Sequence, residues 1–300
     1  MGLKKDLDEV ATGWRWTRRS ILPEKVEPPD EQGKPFPTSW ARTGPGRIAR
    51  ELIHSAGFAH LTRFEVDIHA YGLDVLDELE RPVVFVANHT SHLDTAVMRT
   101  VLPLEWRDRL AIGAAADYFF DVWWRGIATS LLFNGFPVER GSGLRAARLA
   151  LSLLKQGWSI LIYPEGGRSE DGWVGSFKGG GAWLAVESGV PVVPVAFRGN
   201  FQAMPKGRGW PAKGRPPVSI RFGTPVLPEP GERAGSFNER VRTALARTLD
   251  EDTTTWWGAL TREQQGTLPD ASGPEGARWR RVWDASRPLP DPDDDRAWPR

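Results

Sequence analysis

The stretch VVFVANHTSHLDT, residues 83–95, joins a run of valine and phenylalanine to two histidines, an asparagine and an aspartate. An unbroken apolar run fits a strand buried on both faces, as in a parallel sheet, and the polar residues then fall where that strand ends. A buried strand that carries histidine to its carboxyl end is the pattern of an open α/β sheet, in which loops beyond the strand ends gather the chemistry.

Outward from this stretch the pattern repeats. Apolar β-type runs occur at 82–88, 109–115, 135–140, 158–164, 190–197 and 218–223, each bounded by glycine, proline or a charge. Helical segments separate most of them. In LRAARLALSLLKQG, 144–157, residues Leu144, Ala147, Ala150, Leu151 and Leu154 share one face and Gly157 ends the segment. SFNERVRTALARTLD, 236–250, opens with Ser236 and Glu239 at capping-box spacing. FFDVWWRGIATSLLF, 119–133, reads as one tryptophan-rich helical segment that either covers the core or lies in a lipid interface. The alternation predicts an α/β fold: a mostly parallel, mixed central sheet flanked by helices, with its site at the carboxyl ends of the strands. Proline and glycine crowd residues 20–46, and the chain from about Thr253 is similarly polar and aperiodic. The expected division is a Pro/Gly-rich arm at 1–46, a catalytic domain at 47–252 and a polar tail at 253–300.

Composition narrows the function classes. The absence of cysteine among the 300 residues excludes disulfides, thiolate zinc sites and cysteine nucleophiles, leaving oxygen and nitrogen groups to carry any chemistry. A formal charge of +1 gives no reason to expect a nucleic-acid partner. The charged opening MGLKKDLDEV does not read as an export signal, and no segment reaches the ~18 apolar residues of a membrane span, so an integral membrane protein is not expected. Fifteen tryptophans against three tyrosines suit either wet-apolar boundaries or ordinary packing.

Three polar clusters end three of the strands: NHTSHLD, VERG and PEGGRS. His89 with Asp94 five residues later can act as a base and its orienter, the carboxylate holding one ring nitrogen while the other accepts a proton. The same pair fits a turn histidine followed by a carboxylate that complements a helix macrodipole. There is no G-x-S-x-G elbow, which favours a substrate hydroxyl as nucleophile. His89, His92 and Asp94 loosely resemble a His-x-His-x-Asp-His metal run, but positions 90 and 95, where the remaining ligands would stand, are threonine, so no metal site is expected. Arg140, Arg168 and Lys178 offer cations at strand ends, suited to phosphate or to solvent.

Together these blocks resemble the glycerolipid acyltransferase family, the PlsC-type 1-acylglycerol-3-phosphate and glycerol-3-phosphate O-acyltransferases, over roughly residues 82–199. Asn88 to Asp94 is similar to the family's N-H-x-S-x-x-D block, which implies His89 as general base and Asp94 as its partner. GFPVERG resembles the second block and implies that Arg140 holds the acceptor phosphate. YPEGGRS resembles F-P-E-G-T-R-S and implies acceptor binding by Glu165, Gly166, Arg168 and Ser169, with Lys178 in the FKGGGAWLA segment and Pro194 in VPVVPVAFRG shaping the site. Glu139 stands where the family commonly has aspartate, and Gly167 where it has threonine.

The resemblance implies direct transfer of a fatty acyl group, without an acyl-enzyme or a cofactor, from acyl-CoA or acyl-carrier protein to a hydroxyl of a lysophospholipid such as lysophosphatidic acid, or of a phosphorylated alcohol. Members of that family often carry membrane-spanning segments, which this sequence does not show, so the expected location is cytoplasmic and peripheral, at the inner face of a membrane. Two alternatives stay open on the sequence: a hydrolase using the same dyad with water or metal, and a non-catalytic lipid-binding module.

Overall fold

The computed structural model describes residues 36–138, 144–276 and 279. Seven strands form one sheet: β1 (Asp67–Tyr71), β2 (Val84–Ala87), β3 (Leu110–Ala115), β4 (Gly135–Val138), β5 (Ser159–Ile162), β6 (Val192–Arg198) and β7 (Pro217–Phe222), in the order β1-β7-β6-β2-β5-β3-β4. All neighbours pair in parallel except β6 and β7, which are antiparallel, so the sheet is the mixed, mostly parallel one expected.

The helices are α1 (Gly44–Ile53), α2 (Ala59–Glu65), α3 (Leu93–Val101), α4 (Leu104–Asp108), α5 (Ala116–Phe119), α6 (Trp123–Phe133), α7 (Leu144–Lys155), α8 (Gly180–Ser188), α9 (Asn200–Ala203), α10 (Ala234–Asp250) and α11 (Trp256–Gln264). A π turn, His54–Phe58, continues α1 into α2. Alternation along β2 divides the core into two layers. Val83, Phe85 and Ala87 pack with Val97 and Met98 of α3, while Val84 and Val86 pack with Leu153 of α7, Ala185 of α8 and Phe237 of α10. Both faces of the central strand are therefore covered, which is why its sequence is continuous rather than alternating. Phe85 is fully buried, so truncating it to alanine costs about 3–5 kcal/mol.

Several expectations change. The strand DIHAY is absent from the sequence-based set: β1 is an edge strand pairing only with β7, and most of its residues are exposed. The boundary at 46 falls inside α1, whose Gly44 and Pro45 follow the cap Thr43; the proline and glycine that suggest a loose arm are a helix start. The supposed tail at 253–300 contains α11, capped by the Thr255 side chain accepting from Gly258 N at 3.1 Å and tied to α10 by Arg262 and Asp250. Ser236 and Glu239 do not form a capping box: the cap is Arg233, and the Ser236 hydroxyl donates to its carbonyl at 2.9 Å. The segment 119–133 is not one helix, because α5 ends at Phe119 and α6 begins at Trp123.

Candidate active site

Strand β2 ends at Ala87, and the chain turns through residues 88–92 into α3. Asn88 fixes this turn to the neighbouring strand. Its amide donates to Phe197 O at 3.0 Å and accepts from Phe197 N at 2.8 Å, as a backbone partner would. Ser91 donates to Met204 O at 2.7 Å and accepts from Leu93 N at 3.1 Å, satisfying an otherwise unpaired amide at the helix start.

Asp94 lies in the first turn of α3 and is wholly buried. Its Oδ2 accepts from Thr90 N at 2.7 Å and Ser91 N at 2.8 Å, and pairs with His89 Nδ1 at 2.9 Å. Its Oδ1 accepts from Asn200 Nδ2 at 2.7 Å and, more weakly, from Thr90 Oγ1 at 3.4 Å. A buried carboxylate is tolerable only when so many donors surround it. With Nδ1 donating to Asp94, His89 presents Nε2 as an acceptor, and its side chain is 16% exposed.

The His89 ring stacks on Tyr163 with centroids 3.9 Å apart and planes 18° apart. The Tyr163 hydroxyl shares a 2.9 Å hydrogen bond with Thr95. Desolvation pushes the Tyr163 phenol well above its ordinary range, and the Asp94 charge adds to this. Tyr163 is thus a neutral wall that limits rotation of the imidazole.

Glu165 has a part that the sequence does not announce. Its Oε1 accepts from the backbone N of His89 at 2.7 Å and its Oε2 from Gly175 N at 2.8 Å. Ser169 N in turn donates to His89 O at 2.7 Å. The loop after β5 therefore grips the peptide groups on either side of His89. Gly166 has φ +73°, and a Cβ there would collide with the Lys178 ammonium, which lies over the glycine. Ser169 spends its hydroxyl on its own loop, donating to Trp173 O at 2.7 Å and accepting from Gly172 N at 2.9 Å. Gly167 is open on its Cβ side, so the threonine common at this position would have room.

Arg168 is half-buried and has no hydrogen bond or ion pair with the described residues. Its charge reaches His92, whose pKa is pushed down to about 4 by desolvation first, then by Arg168 and His89, with Asp94 opposing. His92 is neutral near pH 7 and packs against Tyr118 and Phe119, with ring centroids 5.8 and 5.7 Å away. Pro194 lies within β6 opposite Val86, and its carbonyl accepts from Gly223 N at 2.8 Å. Arg140 lies outside the described residues.

The structure thus brings together His89, Asp94, Glu165, Gly166, Arg168, Ser169 and Lys178 around one strand end. The sequence motifs do not single out Asn200 or Tyr163. For Asn200 the available signal is an asparagine directly after the glycine that closes a strand on this same edge.

Residues 67–198 match the family model described as Acyltransferase. The chain is 30% identical over 192 residues, 61% of this chain and 49% of the relative, to the chloroplastic 1-acyl-sn-glycerol-3-phosphate acyltransferase LPAT1 of Arabidopsis thaliana. It is 38% identical over 100 residues, 33% of this chain and 38% of the relative, to the 1-acyl-sn-glycerol-3-phosphate acyltransferase of Pseudomonas aeruginosa. The crystal structure of PlsC, the 1-acyl-sn-glycerophosphate acyltransferase of Thermotoga maritima, superposes with a TM-score of 0.52 at 25% identity, covering 72% of this chain and 92% of that one. The chain spans about half the length of the curated relatives it matches.

Proposed function

This chain belongs to the PlsC-type glycerolipid acyltransferases, and from that premise we propose that it transfers a fatty acyl group from an acyl thioester to a hydroxyl of a phosphate-bearing lysophospholipid, lysophosphatidic acid in the first place. The observation that carries the reading is the 2.9 Å pair between His89 Nδ1 and the buried Asp94.

The acceptor hydroxyl approaches Nε2, which removes its proton as the oxygen attacks the thioester carbonyl. Asp94 holds the tautomer that makes this possible and stabilises the imidazolium. Collapse of the tetrahedral intermediate breaks the carbon–sulfur bond, and the departing thiolate takes the proton back from Nε2. Positioned general base catalysis of this kind contributes about 10²–10⁴-fold. Arg168 and the Lys178 ammonium above Gly166 supply positive charge for the acceptor phosphate. The donor is proposed to be acyl-CoA or acyl-carrier protein.

Both substrates are amphiphiles, and we propose that the protein meets them peripherally, on the cytoplasmic side of a membrane. No helix among the described residues is long and apolar enough to cross one. Ile48 and Leu52 on α1, Phe64 on α2, and Trp123 and Trp124 on α6 are exposed, and α1 packs against α6. Exposed tryptophan and leucine on neighbouring helices suit a headgroup layer.

Product analysis by mass spectrometry, with acyl-CoA or acyl-carrier protein as donor and lysophosphatidic acid as acceptor, tests the reaction. New diacyl product that appears only with added acceptor supports transfer. Thioester consumption that proceeds equally without acceptor supports the hydrolase instead. Co-sedimentation with anionic vesicles tests the docking face, with Trp123→Asp expected to weaken it.

A further inference from the structure

Away from the dyad, the described residues hold buried basic side chains that the proposed transfer does not use. Arg50 on α1, His54 in the π turn and Arg99 on α3 are 2%, 4% and 1% exposed. Arg50 donates from Nε to Leu131 O at 2.8 Å and from Nη2 to Ala41 O, but its Nη1 has no partner. Arg99 Nε and Nη1, both ring nitrogens of His54 and the hydroxyl of Ser130 on α6 are also buried without partners.

The neighbouring carboxylates are already engaged. Glu51 accepts from Arg107 and from Ser55, and Asp108 accepts from Arg47. The buried basic groups feel one another: Arg99 is pushed down to about 9 by burial, then by Arg50 and Arg107, and the neutral His54 to about 4 by burial, then by Arg107 and Arg99, with Glu51 and the Arg99 backbone opposing. A guanidinium carries five donors and no acceptor, so two of them cannot satisfy each other. Charges removed from water require a counter-charge or neutralisation.

We propose that Arg50, Arg99 and His54 form a binding site for a small inorganic anion of halide size, held between α1 and α3. The two guanidinium groups, one N–H of the neutral His54 ring and the Ser130 hydroxyl can all donate, and nearly complete burial excludes a headgroup with acyl chains attached. A weakly hydrated guanidinium pairs well with a weakly hydrated monoanion, of which chloride is the abundant example. Arg99 stands on the same helix as Asp94, so a bound anion clamps the amino-terminal helices to the helix that holds the carboxylate of the dyad.

The test uses the full chain. At constant ionic strength, replacing sodium gluconate with sodium chloride is expected to raise Tm along a saturating curve, by roughly 5 °C or more at 100 times Kd. Crystals soaked in sodium bromide are expected to show an anomalous peak in contact with Arg50 Nη1 and Arg99. Arg99→Met keeps the length of the side chain without its charge and is expected to lose the chloride response. A Tm indifferent to the choice of anion, a bromide-soaked crystal without that peak, or an Arg99→Met protein with the full chloride response overturns the proposal. Should Arg99→Met fail to fold, the bromide measurement on the unchanged protein decides.

Discussion

Asn200 donates its side-chain amide to Asp94 Oδ1 at 2.7 Å across 106 residues of sequence, joining the end of β6 to the start of α3. Oδ1 otherwise has only the long bond from Thr90. Asn200→Ala is expected to cost about 1–3 kcal/mol in urea unfolding, because a buried acceptor loses its main partner. Transfer should fall with it, since the carboxylate that orients His89 is less firmly held, while the acceptor KM stays close to its original value.

His89→Ala is expected to lower kcat by about 10²–10⁴-fold in a coupled thiol-release assay. The change in Tm should be small, because the side chain is partly exposed and Asp94 keeps its donors from Thr90, Ser91 and Asn200. Unchanged turnover in this variant would remove the base from the mechanism.

Glu165→Gln leaves the volume unchanged but replaces one acceptor oxygen with an NH₂ group facing a backbone N–H of His89 or Gly175. A stability loss of about 1–3 kcal/mol is expected from the unmatched donor. Activity should fall as well, with kcat more affected than the acceptor KM, because Glu165 acts by placing His89.

Arg168→Ala is expected to raise the KM for lysophosphatidic acid by at least 10-fold, as the loss of a charge-assisted contact of about 1.5–3 kcal/mol implies. An acceptor without phosphate, such as a monoacylglycerol, should be indifferent to the change. Steady-state kinetics with both acceptors checks the pair of outcomes.

Acid should weaken the fold in a definite window. His54 and His92 have folded pKa values of about 4, below the ordinary value near 6.5. Between these limits the unfolded chain binds protons that the folded chain refuses, so stability is full above about pH 6.5 and falls as the pH drops towards 4. Urea midpoints measured across that range should decline, and His54→Leu should make the slope shallower.

Five of the seven strands are legible in the sequence as short apolar runs, and β7, PVSIRF, as an alternating one with Val218, Ile220 and Phe222 buried, patterns that survive without knowledge of their neighbours. Asp67–Tyr71 is not, since a half-exposed edge strand carries no such run. The dyad is legible because His89 and Asp94 sit five residues apart in one turn. The parts played by Tyr163 and Asn200 are not, because stacking on His89 or donating to Asp94 depends on which strand ends lie side by side. Glu165 stands at the site as its motif implies, and it also holds the backbone of His89, a part the motif does not announce. Its identity is local information, while its two amide partners are tertiary.

The bonds from Glu165 and Ser169 to the backbone of His89 make the loop carrying Arg168 and the proposed proton acceptor a single mechanical piece. Under the proposed function, selectivity is not expected to be retunable by exchanging that loop as an independent cassette. A graft that altered which headgroup is preferred would also re-aim the imidazole, so changes of acceptor should come more readily from positions that line the approach without holding the histidine, such as the open side of Gly167.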